Sequence, residues 1–284
     1  MVSRAPDRLR TPAGQNIGAS GKIAAMSALN VELFGPVDGP PVLALHGLTG
    51  HGKRWVDLAD ALPHARIVAP DLLGHGFSPW TPPWSIQAQV SALREVADEY
   101  VDGPMVVVGH SYGGALALHL SQSLGDRIRS MVLLDPAIGL DPRWLQEVAG
   151  SYMSHYDYPD EAAAREEKLG GSWSELAPEI LDREIADHLI EVGDRVNWRI
   201  NPAMVVTTWG ELSLPFVLPP SGIPVDLVQA MRVQPPYVTD AFRTALGEQQ
   251  GDLLRVFEED CDHMVPFARA ELTATLVAKA LARN

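Results

Sequence analysis

The sequence contains one cysteine, few cations and no long apolar run, and each shortage excludes a class of protein. Because Cys261 has no partner in the chain, an intrachain disulfide is excluded and a reducing compartment is expected. The 22 Lys and Arg residues are outnumbered by 36 Asp and Glu. The resulting net charge of -14 repels phosphate backbones, so we expect no nucleic-acid partner.

Segments that would enter a membrane or direct export are also lacking. No window approaches about 20 uncharged apolar residues, so stable membrane insertion is not expected. The first 25 residues include Arg4, Arg8 and Arg10 but no continuous apolar stretch of secretory length. We therefore expect a cytoplasmic protein in which residues 1–26, rich in Pro, Gly, Ser and Arg, form a loosely held tail.

Beyond residue 26, short β-branched runs alternate with helical patterns. This alternation predicts an α/β fold with a mostly parallel central sheet flanked by helices, formed by residues 27–136 and 223–284. The predicted strands are Leu29–Phe34, Pro41–Leu45, Arg66–Ala69, Met105–Val108, Ser130–Leu134, Val225–Ala230 and Leu253–Phe257.

Between residues 137 and 222 the strand signal is absent, and a series of helix starts replaces it. These starts are marked by Asp141-Pro142, Pro159-Asp160, Pro178 and Pro202. Two of the helices are predicted to end at Gly170 and Gly193. We expect residues 137–222 to form an inserted helical cap, which carries four of the seven tryptophans of the chain: Trp144, Trp173, Trp198 and Trp209.

A G-x-S-x-G pentapeptide, residues 109–113, lies between a predicted strand and a predicted helix. Its glycines allow the chain to turn sharply while Ser111 is held with its hydroxyl clear of the sheet, as in a nucleophile elbow. Ser111 is therefore the candidate nucleophile. It requires a base, because a serine hydroxyl holds its proton tightly at neutral pH.

Nine histidines could supply that base, and position along the chain favours one of them. His263 follows the last predicted strand and precedes the final helix, which would let its imidazole reach the elbow. His46, at the end of another strand, is expected to shape a loop that aims backbone N–H groups at the reaction centre. The donors of this oxyanion hole would be the amides of Leu48 and Tyr112. The histidines show no metal-site spacing, and neither a metal nor a cofactor is expected.

These motifs and their order resemble the α/β-hydrolase superfamily. The resemblance spans roughly residues 27–284 and rests on Leu45-His46-Gly47, on the run from Asp71 to Ser78, on the elbow, and on Asp262-His263-Met264. More narrowly, residues 80–84, 201–205 and 260–266 look like those of mycobacterial and actinobacterial lipases and carboxylesterases. The resemblance implies an α/β-hydrolase fold with a catalytic triad.

The acid that orients His263 departs from the family pattern. Family members usually carry it just after the strand that follows the cap, but residues 229–237 contain no carboxylate. Asp135, at the end of the strand after the elbow helix, is the favoured candidate, because some members of the superfamily place the acid there. Asp240 is the alternative acid, although Asp240 or Thr239 could instead cap the helix that follows.

A serine in the elbow favours acyl chemistry, whereas superfamily members with an aspartate there attack carbon by displacement. We therefore predict a serine esterase or lipase that cleaves small apolar carboxylic esters through an acyl-enzyme. Two alternatives stay open, namely a serine-dependent C–C bond hydrolase acting on diketone-type substrates and a non-catalytic binding protein with the same fold. The sequence does not predict an oligomeric state.

Overall fold

The computed structural model describes residues 29–283, and within them nine strands form two sheets. The strands are β1 (Val31–Phe34), β2 (Pro41–Leu45), β3 (Arg66–Pro70), β4 (Met105–His110), β5 (Ile128–Leu134), β6 (Leu189–Val192), β7 (Arg195–Trp198), β8 (Val225–Ala230) and β9 (Leu254–Glu259). Seven strands form the main sheet in the order β1-β3-β2-β4-β5-β8-β9. In that sheet β1 runs antiparallel to β3, and the other neighbours pair in parallel.

Helices cover both faces of the main sheet. Those of the described residues are α1 (Val56–Ala61), α2 (Ile86–Tyr100), α3 (Tyr112–Leu124), α4 (Pro142–Ser154), α5 (Glu161–Gly170), α6 (Pro178–His188), α7 (Pro202–Leu212), α8 (Asp240–Gln250), α9 (Val265–Ala268) and α10 (Ala270–Leu281). Successive side chains of a strand point to opposite faces, so β2 supplies Leu43 to a core with α2 and α3. Its neighbour Val42 belongs to a second core with α1 and α10. The predicted α/β architecture is confirmed.

The seven predicted strands are the strands of the main sheet. The bounds of β2 and β8 agree with the prediction, and the ends of the others differ by a few residues. β4 begins with the apolar run Met105–Val108 because both of its faces are buried, as expected of a central parallel strand.

The segment between β5 and β8 contains four helices, α4 to α7, and also a two-stranded hairpin of β6 and β7. Asp141, Asp160 and Asn201 cap three of these helices with their side chains, at helix starts that the sequence predicts. The hairpin was not predicted within the expected helical cap, because each of its strands is only four residues long and gives little alternating signal. Gly193 does not end a helix, since it lies in the hairpin turn with φ of +66°.

Residues 137–222, called the inserted segment from here on, dock on the turn that follows β3. The Asn201 N–H donates to the Gly74 carbonyl at 2.8 Å, and the Gly76 N–H donates to the Arg199 carbonyl at 2.9 Å. The segment has an apolar core of its own around Trp173 and Trp198, and Met264 from the loop after β9 belongs to the same cluster.

The expected tail, residues 1–26, lies outside the described residues. Among residues 29–283, every helix is too short or too polar to cross a lipid bilayer.

A pair of glycine substitutions tests how closely α3 approaches the sheet. A Cβ at Gly113 would lie 2.2 Å from the Leu45 carbonyl oxygen, whereas one at Gly150 in α4 meets nothing within 4 Å. We expect Gly113→Ala to lower the free energy of unfolding by about 1–3 kcal/mol through overpacking. Gly150→Ala should raise it by about 0.5–1 kcal/mol, because alanine favours the helix. Urea unfolding measures both changes, and equal signs would contradict this packing.

Candidate active site

Ser111 lies in the sharp turn between β4 and α3. Its φ of +53° is in the left-handed region that a non-glycine residue rarely adopts. Backbone hydrogen bonds hold it there: its N–H donates to the Leu134 carbonyl at 3.0 Å, and its carbonyl accepts from Gly114 at 2.9 Å and Ala137 at 3.1 Å. The side chain is thereby fixed above the carboxyl end of the sheet, as the pentapeptide predicts.

Three side chains form an unbroken hydrogen-bonded series at this end of the sheet. His263 Nε2 lies 2.8 Å from Ser111 Oγ, and His263 Nδ1 lies 2.6 Å from Asp135 Oδ2. The other Asp135 oxygen accepts the N–H of Ala230 at 3.2 Å, and the carboxylate is fully buried. Because a carboxylate only accepts, Nδ1 of His263 carries the hydrogen and Nε2 is left to accept the serine proton.

The alternative acid lies elsewhere. Asp240 is exposed in the first turn of α8, where the Thr239 hydroxyl caps the helix by accepting the Phe242 N–H at 3.2 Å. The Asp262 carboxylate oxygen Oδ1 accepts the backbone N–H of its neighbour His263 at 2.7 Å. Of these carboxylates, the structure brings Asp135 to the His263 imidazole.

The loop of residues 46–55, called the 46–55 loop, passes directly beside Ser111. A Cβ at Gly47 would lie 3.1 Å from Ser111 Cβ. The Gly47 carbonyl accepts two hydrogen bonds, from His46 Nδ1 at 2.8 Å and from the Gly50 N–H at 2.9 Å. The Gly47 carbonyl and the Leu48 N–H belong to one trans peptide and point in opposite directions. The two bonds to the carbonyl therefore also set the direction of the Leu48 N–H.

Two backbone donors, the amides of Leu48 and Tyr112, are available next to Ser111. Within residues 29–283 neither N–H is bound to an acceptor. Tyr112 is the first residue of α3, so its N–H belongs to the positive end of the helix dipole. A backbone N–H without an acceptor is a donor that an anionic oxygen could use.

Three buried histidines support these loops in their neutral form. His46 Nε2 accepts the N–H of Leu72 at 3.0 Å, and burial and nearby His75 hold the pKa of His46 well below its usual range. Burial likewise lowers the pKa of His75 to about 3 and that of His110 well below 6.5. His110 Nε2 donates to the His263 carbonyl oxygen at 2.7 Å and so ties the elbow to the histidine loop.

The structure places an aromatic side chain, Tyr237, beside His263, and its position was not predicted from the sequence. The Tyr237 ring lies 4.2 Å from the His263 ring between centroids and 5.6 Å from the Trp144 ring of α4. Burial, with smaller effects from Asp135 and Asp262, raises the pKa of Tyr237 to about 12, so the phenol is neutral at neutral pH. The sequence feature that could have indicated Tyr237 is its place in residues 229–237, the segment that lacks the expected acid.

Three partly buried apolar side chains lie where the inserted segment meets the main core. Leu48, Trp84 and Trp209 pack against both the main core and the core of the inserted segment. In the part of the chain that the structure describes, His, Cys, Asp and Glu residues form no group of three or more that could hold a metal ion.

Comparisons with known proteins place the chain among the hydrolases. A model of the Alpha/beta hydrolase family matches residues 42–276. The chain is 44% identical over 254 residues to Lipase LipV of Mycobacterium tuberculosis, covering 89% of this chain and 97% of the lipase. It is 29% identical over 176 residues to the sn-1-specific diacylglycerol lipase ABHD11 of Mus musculus, covering 57% and 55% of the two chains.

Solved structures show a similar fold. A marine microorganism esterase superposes with a TM-score of 0.71 at 20% identity, covering 89% of this chain and 98% of its own. An E-2-(acetamidomethylene)succinate hydrolase superposes with a TM-score of 0.73 at 18% identity, covering 89% and 94%. At these identities the likeness concerns the fold alone.

The buried state of His75 predicts a pH dependence of stability. Its pKa is about 3 in the folded protein and ordinarily 6.5, so between these values the unfolded chain binds one more proton at this residue. Stability is therefore lost as pH falls below 6.5, by up to about 1.4 kcal/mol per pH unit. The free energy of unfolding, measured with urea between pH 7.5 and 5, should depend less steeply on pH for His75→Gln than for the wild type, by a difference that approaches one proton near pH 5. An unchanged slope would mean that folded His75 is protonated.

Proposed function

The chain belongs to the alpha/beta hydrolase family, and from this membership we propose that Ser111, His263 and Asp135 are the catalytic triad of a carboxylic ester hydrolase. The observation that supports the triad most is the series Asp135–His263–Ser111, with hydrogen bonds of 2.6 and 2.8 Å. The similarity to Lipase LipV over 97% of that lipase supports an esterase or lipase activity.

In the proposed reaction, Ser111 Oγ attacks the ester carbonyl carbon while His263 Nε2 takes the hydroxyl proton. The protonated imidazole then gives that proton to the leaving alkoxide, which departs as the alcohol. Water, deprotonated by the same nitrogen, then attacks the acyl carbon. The bond between that carbon and Ser111 Oγ breaks, Nε2 returns the proton to Oγ, and the carboxylic acid is released. Asp135 holds the imidazole orientation and stabilises its charged form throughout.

The amides of Leu48 and Tyr112 would form the oxyanion hole for the oxygen that becomes negative in both steps. Two free donors beside Ser111, one of them at the start of α3, support this role. We further propose that the inserted segment is a cap over the site, because the Trp144 ring of α4 lies near the Tyr237 ring, which in turn lies against the His263 ring at a tilt of 35°.

The substrate class is inferred from the apolar side chains where the inserted segment meets the main core. Leu48, Trp84 and Trp209 are partly buried against both cores and offer apolar and aromatic surface to a substrate. We propose small apolar esters with short to medium acyl chains as substrates.

Covalent labelling tests the nucleophile. A fluorophosphonate reacts with an activated serine, so the wild-type protein should be labelled and Ser111→Ala should not. Mass spectrometry of the labelled peptide should place the adduct on Ser111. A wild-type protein that stays unlabelled and inactive on esters would support the binding-protein alternative, and cleavage of a diketone but not of p-nitrophenyl esters would indicate a C–C bond hydrolase.

Two aspartate substitutions test the acid. With p-nitrophenyl butyrate, Asp135→Asn should lower kcat by roughly 10⁴-fold, the effect known for the same change in a serine protease, because asparagine favours the wrong imidazole tautomer. Asp240→Asn is the matched control and should stay within about twofold of the wild type, since an exposed carboxylate contributes little. Similar mild losses in both variants would contradict the assignment of Asp135.

A further inference from the structure

A second buried polar cluster lies behind the 46–55 loop, where the inserted segment meets the core. Glu184 of α6 is 3% exposed and Arg54 of the loop is 8% exposed. Arg54 donates through Nε to Glu184 Oε2 at 3.0 Å and through Nη2 to Glu184 Oε1, which makes the pair bidentate. His51 Nε2 lies 3.1 Å from the same Oε2.

Arg54 connects this pair to the backbone beside Ser111. Its Nη2 also donates to the Thr49 carbonyl oxygen at 2.9 Å. The peptide between Thr49 and Gly50 is thus held at both ends, because the Gly50 N–H donates to the Gly47 carbonyl at 2.9 Å. The Gly47 carbonyl and the Leu48 N–H belong to the same peptide group and point in opposite directions. Two rigid peptide groups, joined by the hydrogen bond from Gly50, therefore connect Arg54 to the Leu48 amide.

The backbone of the loop needs such support. Thr49 has φ of +68°, a left-handed conformation that a β-branched residue adopts only when its surroundings hold it. Without the bond from Arg54, the peptide between Thr49 and Gly50 could rotate and withdraw the Gly50 N–H from the Gly47 carbonyl. The Gly47 carbonyl would then keep only its bond from His46 Nδ1, and the direction of the Leu48 N–H would be less firmly held.

The negative charge of Glu184 favours a lasting contact with Arg54. Burial opposes ionisation of Glu184, but Arg54 and His51 outweigh it and hold the pKa of this carboxyl well below its usual range. Arg54 therefore faces a carboxylate throughout the neutral pH range and keeps one orientation.

We propose that Glu184 is a positioning residue for ester hydrolysis, which acts through Arg54 to fix the Leu48 amide where the negative oxygen forms. The inserted segment thereby contributes to the rate of the reaction as well as to the cover of the site. This inference rests on the proposed function of Ser111.

Another ion pair on the same helix provides a matched control. Asp187, three residues after Glu184, accepts from Lys53 Nζ at 2.9 Å, so it also joins α6 to the 46–55 loop. This pair is partly exposed, and within residues 29–283 no backbone N–H of the loop donates to its carboxylate. Asp187→Asn therefore weakens the docking of α6 without changing the hydrogen bond to Thr49.

The test compares Glu184→Gln with Asp187→Asn on p-nitrophenyl butyrate. Outright loss of an oxyanion donor costs ~10² to 10³ in rate, so a misdirected Leu48 amide should lower kcat by roughly 10- to 100-fold with KM within about threefold. Asp187→Asn should keep kcat within about twofold. A trifluoromethyl ketone, which forms a tetrahedral anion on Ser111, should lose affinity in Glu184→Gln by the same factor as kcat/KM. A purely structural role would not produce this correlation.

Loss of folding must be separated from loss of positioning, because an unpaired buried Arg54 is destabilising. The double variant Arg54→Met/Glu184→Leu replaces the pair with apolar side chains of similar size and should remain folded. It still lacks the donor to Thr49, so its kcat should be as low as that of Glu184→Gln.

Wild-type kcat in a folded double variant, or equal kcat in Glu184→Gln and the wild type, would overturn the inference while leaving the esterase assignment intact. An unlabelled and inactive wild type would instead refute the proposed function, and the inference with it.

Discussion

The close approach of α3 to the sheet is the constraint on which the site depends. Gly113 lets the helix backbone lie against the Leu45 and His46 carbonyls, at distances that a methyl group would not permit. Ser111 is thereby held at the positive end of α3, above the edge where the carboxyl ends of the parallel strands meet. Loops from β5 and β9 deliver Asp135 and His263 to the same edge.

Backbone strain is concentrated in these loops. Among residues 29–283, three residues other than glycine have positive φ, and they are Thr49, Ser111 and Asp135. Each is held by hydrogen bonds, such as that of the Asp135 N–H to the Val228 carbonyl at 2.7 Å. Strained conformations persist where the surrounding structure determines them. Here the strained residues are Ser111 itself and residues in the loops that form its site.

The sequence predicted the main sheet, the elbow and His263 because local signals carry them. Apolar runs, a pentapeptide with fixed chemistry and a histidine after the last strand require no knowledge of distant contacts. The choice of acid was harder, because Asp135 and His263 are 128 positions apart and only the fold decides which carboxylate reaches the imidazole. The short strands β6 and β7 left too weak a pattern for prediction.

The pair of Arg54 and Glu184 was beyond sequence reasoning, since nothing in a chain with 36 acidic residues distinguishes the carboxylate that becomes buried. It also limits how the protein can be rebuilt. A chimera that received the inserted segment of another hydrolase would lose Glu184 and leave a guanidinium sealed from water without its counter-ion, at a cost of several kcal/mol. Engineering of this protein by segment exchange must therefore transfer positions 54 and 184 together.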